Sequence, residues 1–262
     1  MSVLLTRRFV MAAVVAFGLA SGPAIARNDP PVIAAAANLE FALTGIDAAF
    51  TAETGMELRL SFGSTGNIAR QIRQGAPFEM FLAADDGTPL ALHGEGLTRD
   101  AGVVYAVGRI ALVAPNGSVL DPQAGLDGVA ALLASGAITR FAIANPEHAP
   151  FGVAAREALM TRGLWDALQP RLVLGENVSQ AAQFALSGNA EGGIIAYSLA
   201  LAPEVASRGS HALIPDDWHA PLRQRMVLLT GAGPVAEAFY AYMMTPAARA
   251  ILDRYGFALP TE

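Results

Sequence analysis

Short apolar runs alternate with helical patterns along most of the chain, and this alternation restricts the fold more than any other feature of the sequence. Residues 32–37, 58–62 and 141–144 have the length and apolar character of buried strands, and each run is followed by a helical pattern of apolar positions. Alternation of this kind is typical of α/β proteins, in which helices cover a mostly parallel sheet. We therefore predict an α/β fold.

The apolar run of residues 103–114 is long for a single strand and is interrupted by Gly108 and Arg109. We interpret it as a strand that leaves one domain and enters a second. Residues 227–230 predict a strand that returns to the first domain, with two helices after it. The predicted organisation is two α/β lobes, the first formed by residues 27–108 and 220–262 and the second by residues 109–219.

The first 26 residues have the pattern of a signal peptide. Arg7 and Arg8 form a basic region, residues 9–20 are apolar, and a small-residue cleavage pattern ends at Ala26. We therefore expect export to the periplasm and cleavage near Ala26. No later run reaches the roughly 18 apolar residues of a membrane span. Export by the twin-arginine route stays open, because residues 6–10 loosely resemble its signal.

The composition excludes several classes of function. The chain contains no cysteine, so disulfides are excluded and the fold depends on its core, for which 53% hydrophobic residues are available. All 17 basic residues are arginine, and the absence of lysine excludes a Walker A phosphate loop, a Schiff-base lysine and a pyridoxal phosphate anchor. The net charge of −6, about −8 without Arg7 and Arg8, argues against nucleic acid and anionic membranes as partners. A small anionic ligand stays compatible, because local dipoles outweigh a distant net charge at short range.

Four junctions share one design, in which an apolar strand is followed by a short turn and then by a helix start. They lie at residues 37–39, 63–66, 150–152 and 177–179. In an open α/β sheet, ligands bind beyond the carboxyl ends of the strands, where such turns meet. The free N–H groups at a helix start carry partial positive charge and suit an anion. We therefore predict a binding site for an anion rather than a catalytic site.

These junctions and one strand end supply neutral hydrogen-bond donors. The candidates are the Asn38 amide, the Ser64 and Thr65 hydroxyls, the Phe151 and Val178 backbone N–H groups, and the Tyr197 phenol. One alternative stays open: Asn38, Ser64 and Ser179 are residue types that commonly cap helix N-termini, and they would then have no ligand. Tyr197 is equally compatible with a packing role.

Catalytic and metal-binding alternatives find little support in the sequence. Ser64 lacks the G-x-S-x-G surroundings of a hydrolase nucleophile, and an S-x-x-K motif is impossible without lysine. Glu147 and His148 are adjacent on a proline-rich loop, where neighbouring side chains rarely converge on one centre. We expect His148 to bond to the backbone and hold this loop, and we expect neither catalysis nor a cofactor.

Several stretches carry a resemblance to a known family, among them residues 146–152 with the sequence PEHAPFG, residues 61–66 with SFGSTG, residues 34–39 with AAAANL, and residues 255–257 with YGF. They resemble the periplasmic molybdate-binding proteins of molybdate ABC transporters, and the similarity extends over nearly the whole chain after the signal peptide. The resemblance implies a type II-like periplasmic binding protein with two lobes and the ligand in the cleft between them. It also implies a membrane permease as the partner, and we expect a monomer.

The resemblance also implies how the ligand is held. Family members bind the oxyanion through neutral donors, and matching position by position places contacts to molybdate or tungstate at Asn38, Ser64, Thr65, Phe151, Val178 and Tyr197. Molybdenum or tungsten would be present only as the oxyanion. Asn38 stands where many members have Ser, and Phe151 where Ala or Tyr is usual, which leaves the preference between the two oxyanions open. The alternatives are another tetrahedral oxyanion, such as sulfate or phosphate, or a periplasmic sensor lobe.

Overall fold

The computed structural model describes residues 29–260, and the predicted signal peptide, residues 1–26, lies outside this part of the chain. In chain order the strands are β1 (Val32–Ala36), β2 (Arg59–Gly63), β3 (Phe78–Leu82), β4 (Val103–Gly108), β5 (Ile110–Pro115), β6 (Phe141–Ala144), β7 (Leu172–Gly175), β8 (Gly192–Ala196), β9 (Gly209–Leu213) and β10 (Leu222–Leu228).

The helices are mostly short and follow the strands. In chain order they are α1 (Glu40–Thr54), α2 (Thr65–Arg73), α3 (Gly87–Gly94), α4 (Gly125–Ala134), α5 (Pro150–Thr161), α6 (Trp165–Leu168), α7 (Val178–Leu186), α8 (Tyr197–Ala200), α9 (Pro203–Ala206), α10 (Pro234–Tyr242) and α11 (Pro246–Arg254). Within residues 29–260, none of them combines the length and the apolar character that crossing a bilayer requires.

The strands form two five-stranded sheets with helices packed on them, and the predicted α/β class with two lobes is confirmed. In the first sheet the order is β2-β1-β3-β10-β4; β1 is parallel to β2 and β3, and β10 is antiparallel to its neighbours. In the second sheet the order is β7-β6-β8-β5-β9; β6 is parallel to β7 and β8, and β5 is antiparallel to its neighbours. The second sheet comes from one uninterrupted stretch of chain, whereas the first receives β10 from the C-terminal part.

The run predicted as one crossing strand forms two strands, β4 and β5, which are separated by Arg109 alone and lie in different sheets. The return strand β10 begins at Leu222, well before the predicted residues 227–230. The predicted start was wrong because Arg223 and Gln224 interrupt the apolar pattern. In the structure Arg223 is exposed and Gln224 is buried, so the strand alternates between its two faces despite these polar side chains.

The first lobe has a core of small and aromatic side chains. The alanines of β1 are fully buried and let helices pack closely on the sheet. Phe50 of α1 packs edge-on against Phe239 and Tyr242 of α10, with ring centroids 5.1 and 5.3 Å apart. Each such pair contributes about 0.5–1.5 kcal/mol beyond its buried area. Helix α1 is followed by Gly55, where a φ of 70° is accessible to glycine without strain.

Candidate anion-binding site

A small cavity lies between the two lobes, beyond the carboxyl ends of parallel strands. It is small, because the centre of a water-sized sphere can occupy only about 10 Å3 of it, well below the roughly 300–1,000 Å3 of pockets that hold drug-sized ligands. The lining residues are Ala36, Ala37, Asn38, Gly63, Ser64, Thr65, Ala84, Ala149, Pro150, Phe151 and Val178. None of these side chains is charged, and residues 29–260 contain no group of three or more acidic or histidine side chains placed to hold a metal ion. The cavity therefore suits a small ligand held by neutral groups.

Asn38 lies in a short 3-10 turn, Ala37–Leu39, between β1 and α1. Its side chain is buried, with 1% of its surface exposed. One end of the amide is held, because Nδ2 donates to Oε1 of Gln224 over 3.1 Å. The other end, Oδ1, has no hydrogen-bond partner among residues 29–260. In this orientation the unpaired end is an acceptor, which does not suit an anion, whereas the opposite orientation of the amide would offer its N–H groups.

Ser64 and Thr65 lie between β2 and α2. The Ser64 Oγ lies 3.0 Å from Nδ1 of His148. The Thr65 Oγ1 accepts a hydrogen bond of 2.9 Å from the backbone N–H of Ala84. Because this bond uses a lone pair of the hydroxyl, the Thr65 hydroxyl proton remains available to a ligand.

The second lobe presents backbone N–H groups. Phe151 and Val178 lie in the first turns of α5 and α7. The Asn177 side chain caps α7 by accepting from the backbone N–H of Gln180 over 3.0 Å, so the N–H of Val178 is not used by the cap. Within residues 29–260 the backbone N–H groups of Phe151, Val178 and Thr65 have no acceptor. Unpaired N–H groups at helix starts carry partial positive charge and match an anion.

The alternative in which Asn38, Ser64 and Ser179 serve only as helix caps is wrong for Asn38 and Ser179, and Ser64 is an N-cap by position only. Asn38 makes no capping bond, and Ser64 occupies the N-cap position of α2 without accepting a bond from the helix. Ser179 lies inside α7, and its hydroxyl donates to the Glu40 carboxylate over 2.7 Å. The side chains of Asn38 and Ser64 are therefore not occupied by capping.

Gly152 determines how α5 begins against the end of β6. A Cβ on Gly152 would lie 2.2 Å from the backbone oxygen of Ala144, so any other residue would push the helix start away from the strand. Pro150 precedes it at the first helical position, where a fixed φ and a missing N–H are both tolerated. Together they place the backbone of Phe151 at the cavity wall.

The two lobes contact each other around the cavity. In α2 of the first lobe, the backbone N–H of Gly66 donates to the backbone oxygen of His148 over 2.9 Å. The Ser198 hydroxyl of the second lobe donates to the backbone oxygen of Asn38 over 2.7 Å. The lobes are thus closed over the site. Exclusion of water strengthens the electrostatic part of any hydrogen bond formed there.

The His148 ring contacts a site hydroxyl rather than the backbone group that was predicted for it. Its Nε2 lies 3.6 Å from Oε2 of Glu176, while its Nδ1 faces Ser64. This Ser–His–Glu line is not a catalytic triad, because 3.6 Å exceeds hydrogen-bond range and the ring nitrogens are used in the opposite order to that of serine hydrolases. Glu176 is also exposed and accepts a hydrogen bond from Asn67. When Nδ1 carries a proton and donates to Ser64, the serine proton is free to point into the cavity.

Tyr197 is placed away from the cavity. It is the first residue of α8, and its ring packs against Gly256. The Arg109 guanidinium lies 4.8 Å from the ring centroid, and the His211 ring lies 5.7 Å away in an edge-on arrangement. Of the six predicted site residues, five line the cavity and Tyr197 does not. Its packing role was the alternative left open by the sequence.

Two groups near the site, the buried Tyr105 and the partly buried Asp85, have shifted pKa values. Burial raises the pKa of the Tyr105 phenol well above its usual value of 10.0, and the charge of Asp85 acts in the same direction. The phenol is therefore protonated at neutral pH. Burial also raises the pKa of the Asp85 carboxyl, against the opposing effect of the hydrogen bonds from the Thr88 backbone and hydroxyl.

The two lobes and the neutral cavity between them define a class of protein, the two-lobed solute-binding proteins. Comparison with known families agrees, since the model for the bacterial extracellular solute-binding proteins matches residues 31–258. The chain belongs to this family.

Within this family, the chain is similar to several proteins named as molybdate-binding. The chain is 38% identical over 230 residues to the molybdate-binding protein ModA of Azotobacter vinelandii, covering 87% of this chain and 89% of the relative. It is 39% identical over 246 residues to the molybdate-binding protein ModA of Rhodobacter capsulatus, covering 92% and 94%. The solved structure of the Azotobacter vinelandii periplasmic molybdate-binding protein matches with a TM-score of 0.80 at 30% identity, covering 88% of this chain and 100% of that one. The resemblance inferred from residues 146–152 is thereby confirmed. The sulfate-binding protein SubI of Mycobacterium tuberculosis, at 16% identity and a TM-score of 0.69, shares the fold alone.

Proposed function

We propose that this chain binds molybdate, and also tungstate, in the cavity between its lobes. The observation that carries the proposal is a small uncharged cavity with unpaired backbone N–H groups at the starts of α2, α5 and α7. The hydroxyls of Ser64 and Thr65 and the amide of Asn38 lie beside them. A tetrahedral dianion accepts hydrogen bonds at every oxygen, so it suits such a set of donors. The similarity to proteins named as molybdate-binding supports the choice of ion.

Neutral donors are sufficient for tight binding of a dianion. Hydrogen bonds to a charged acceptor contribute roughly 1.5–3 kcal/mol each, so the donors of five residues can supply a large binding free energy in a closed cavity. A neutral lining also costs little when the site is empty, because no cation is left buried without its partner. Catalysis plays no part in this function.

Selectivity follows from size and from protonation. Sulfate carries the same charge as molybdate but is smaller, so the same donors would be stretched around it. Phosphate at neutral pH carries a proton and would need an acceptor in the site. Both ions therefore serve as comparison ligands for the proposal.

The proposed role in the cell is capture of the oxyanion in the periplasm and delivery to the permease of an ABC transporter. The signal-peptide pattern of residues 1–26 and the family membership support export. Closure of the lobes around the ligand would create the surface that a permease recognises. Deletion of the gene should abolish high-affinity molybdate uptake; unchanged uptake together with a lost molybdate response would favour a sensor instead.

The binding proposal is tested by thermal unfolding of the chain from residue 27 onward, with molybdate, tungstate, sulfate or phosphate added. Ligand at a thousand times its Kd should stabilise the protein by about 4 kcal/mol, which corresponds to roughly 10 °C for a chain of this size. A shift with molybdate and tungstate that exceeds the shift with sulfate is the expected result. A shift with sulfate or phosphate alone would discard molybdate as the ligand, and no shift with any oxyanion would discard the site.

A further inference from the structure

The side chains of Asn38, Gln224 and Tyr105 form a buried hydrogen-bonded chain behind the cavity. Gln224 Oε1 accepts from Asn38 Nδ2 over 3.1 Å and lies 2.9 Å from the Tyr105 hydroxyl. That hydroxyl also lies 3.0 Å from the backbone oxygen of Ala83. The three side chains are 1%, 0% and 1% exposed, so their donors and acceptors need partners in the protein or in a ligand.

With the two amides oriented in this way, the hydrogen-bond donors and acceptors of the three side chains do not match. A phenol has one proton, yet Tyr105 faces two acceptor oxygens, one on Ala83 and one on Gln224. Gln224 Nε2 and Asn38 Oδ1 have no partner among residues 29–260. Unpaired buried N–H groups are rarer in proteins than unpaired oxygens, so the two N–H bonds of Gln224 Nε2 are the more costly mismatch.

A half-turn of both amides exchanges oxygen and nitrogen at nearly the same positions. It removes the conflict at Tyr105, moves the unpaired N–H groups from Gln224 to Asn38, where a ligand can accept from them, and leaves Gln224 Oε1 as the unpaired oxygen. Gln224 Nε2 then donates to the Tyr105 hydroxyl and to Asn38 Oδ1. Tyr105 donates its single proton to Ala83. Asn38 Nδ2 becomes the unpaired end of the chain, at the cavity wall.

We propose that Tyr105 and Gln224 are positioning residues that hold the Asn38 amide with its N–H groups toward the ligand. The chain of hydrogen bonds has a fixed direction because it starts at a backbone oxygen, Ala83 O, which can only accept. Tyr105 must donate to that oxygen and accept from Gln224, and Gln224 must donate to Asn38. Asn38 is then left as a donor. This inference rests on the proposed function, since a dianion is the ligand that requires a donor there.

The fixed direction also determines which oxyanions the site rejects. With Nδ2 toward the cavity, Asn38 offers no acceptor to a protonated ligand. Hydrogen phosphate therefore finds no partner for its proton at this position, whereas molybdate and sulfate bring no proton. If the amide were free to turn, Oδ1 would accept that proton and the discrimination would weaken.

The test compares molybdate and phosphate binding by calorimetry in three full-length mature proteins: wild type, Gln224→Met and Tyr105→Phe. Both variants free the Asn38 amide to turn. The Kd for molybdate should rise about 10- to 100-fold, the loss expected for one hydrogen bond to a charged group. The ratio of phosphate to molybdate Kd should fall at the same time, which a purely structural role of Gln224 or Tyr105 would not cause.

A double-mutant cycle with Asn38→Ser supplies the control. In the Asn38→Ser background there is no amide to orient, so Gln224→Met should leave the molybdate Kd nearly unchanged. The inference is overturned if either single variant binds molybdate as tightly as wild type, or if Gln224→Met weakens binding equally in both backgrounds. A wild-type protein that binds no oxyanion would instead refute the proposed function. Should Gln224→Met fail to fold, Tyr105→Phe alone gives the same comparison.

Discussion

Gly66 provides a direct test of whether the lobes close during binding. Its backbone N–H, on the first lobe, donates to the backbone oxygen of His148 on the second lobe. A Cβ on Gly66 would lie 2.9 Å from that oxygen and 3.0 and 3.1 Å from the Cβ and Cα of His148. Favourable contacts between carbon atoms are about 3.5–4.0 Å. Gly66→Ala therefore requires the closed lobes to move apart by several tenths of an ångström at this point.

The expected effects of Gly66→Ala have opposite signs in the two states of the protein. In the closed state, overpacking costs about 1–3 kcal/mol, which would weaken molybdate binding by about 5- to 150-fold. In an open state the new methyl group meets nothing from the second lobe. Replacing a helical glycine by alanine then stabilises the protein by about 0.5–1 kcal/mol. The melting temperature without ligand should hold or rise, while the increase caused by molybdate should shrink.

Calorimetric Kd values and melting temperatures with and without molybdate measure both effects. Gly87→Ala is the matched control, because Gly87 also lies at a helix start and a Cβ there would meet nothing within 4 Å. It should leave the molybdate Kd unchanged. The reasoning is refuted if Gly66→Ala lowers the melting temperature without ligand and leaves the molybdate Kd at the wild-type value, since the closed contact would then be present at all times.

Three further predictions concern single groups at or near the site. Val178→Pro removes a backbone N–H but is compatible with α7, because proline is favoured at the first helical position. The calorimetric Kd of this variant for molybdate should rise about 10- to 100-fold. The control variant Val178→Ala keeps the N–H and should bind molybdate nearly as tightly as wild type. Tyr197→Phe should leave that Kd unchanged, and a large loss would show that the phenol reaches the ligand. Asp85→Asn should flatten the pH dependence of the unfolding free energy in denaturant titrations. Burial raises the pKa of Asp85 in the folded state, so its contribution to stability is present below the unfolded value near 3.8 and is lost as pH rises through the folded value. An unchanged pH profile would contradict this account.

Much of the site could be predicted from the sequence because its donors lie at local features of the chain. A strand, a turn and a helix start are each encoded within about ten residues, as in residues 141–152. The prolines, the glycine and the short apolar run of this segment predict where backbone N–H groups are left unpaired. The structure places four such junctions around one cavity, five of whose lining residues were predicted.

The rest could not be predicted because it depends on contacts between distant parts of the chain. Asn38 and Gln224 are 186 residues apart, and Ser64 and His148 are 84 apart. No local sequence pattern distinguishes a buried glutamine in an inner strand from a surface glutamine. The same residue, Gln224, also interrupts the apolar pattern from which the start of β10 was predicted. Tyr197 is the converse case: it follows an apolar strand, but the chain turns at that point into α8 and its ring packs on Gly256.

The path of the chain between the lobes affects how the binding site could change by gene recombination. The chain leaves the first sheet after Gly108, at the end of β4, and re-enters it at Leu222, at the start of β10. These two residues are direct partners in the pairing of β4 with β10. The stretch between them carries the whole second sheet together with Phe151 and Val178, while Asn38, Ser64 and Thr65 stay with the first. Recombination between related genes at these two adjoining positions would exchange one half of the donor set as a cassette and leave the other half in place. The first-lobe donors and the second-lobe donors can therefore evolve as two separately exchanged segments, each with its own effect on anion preference.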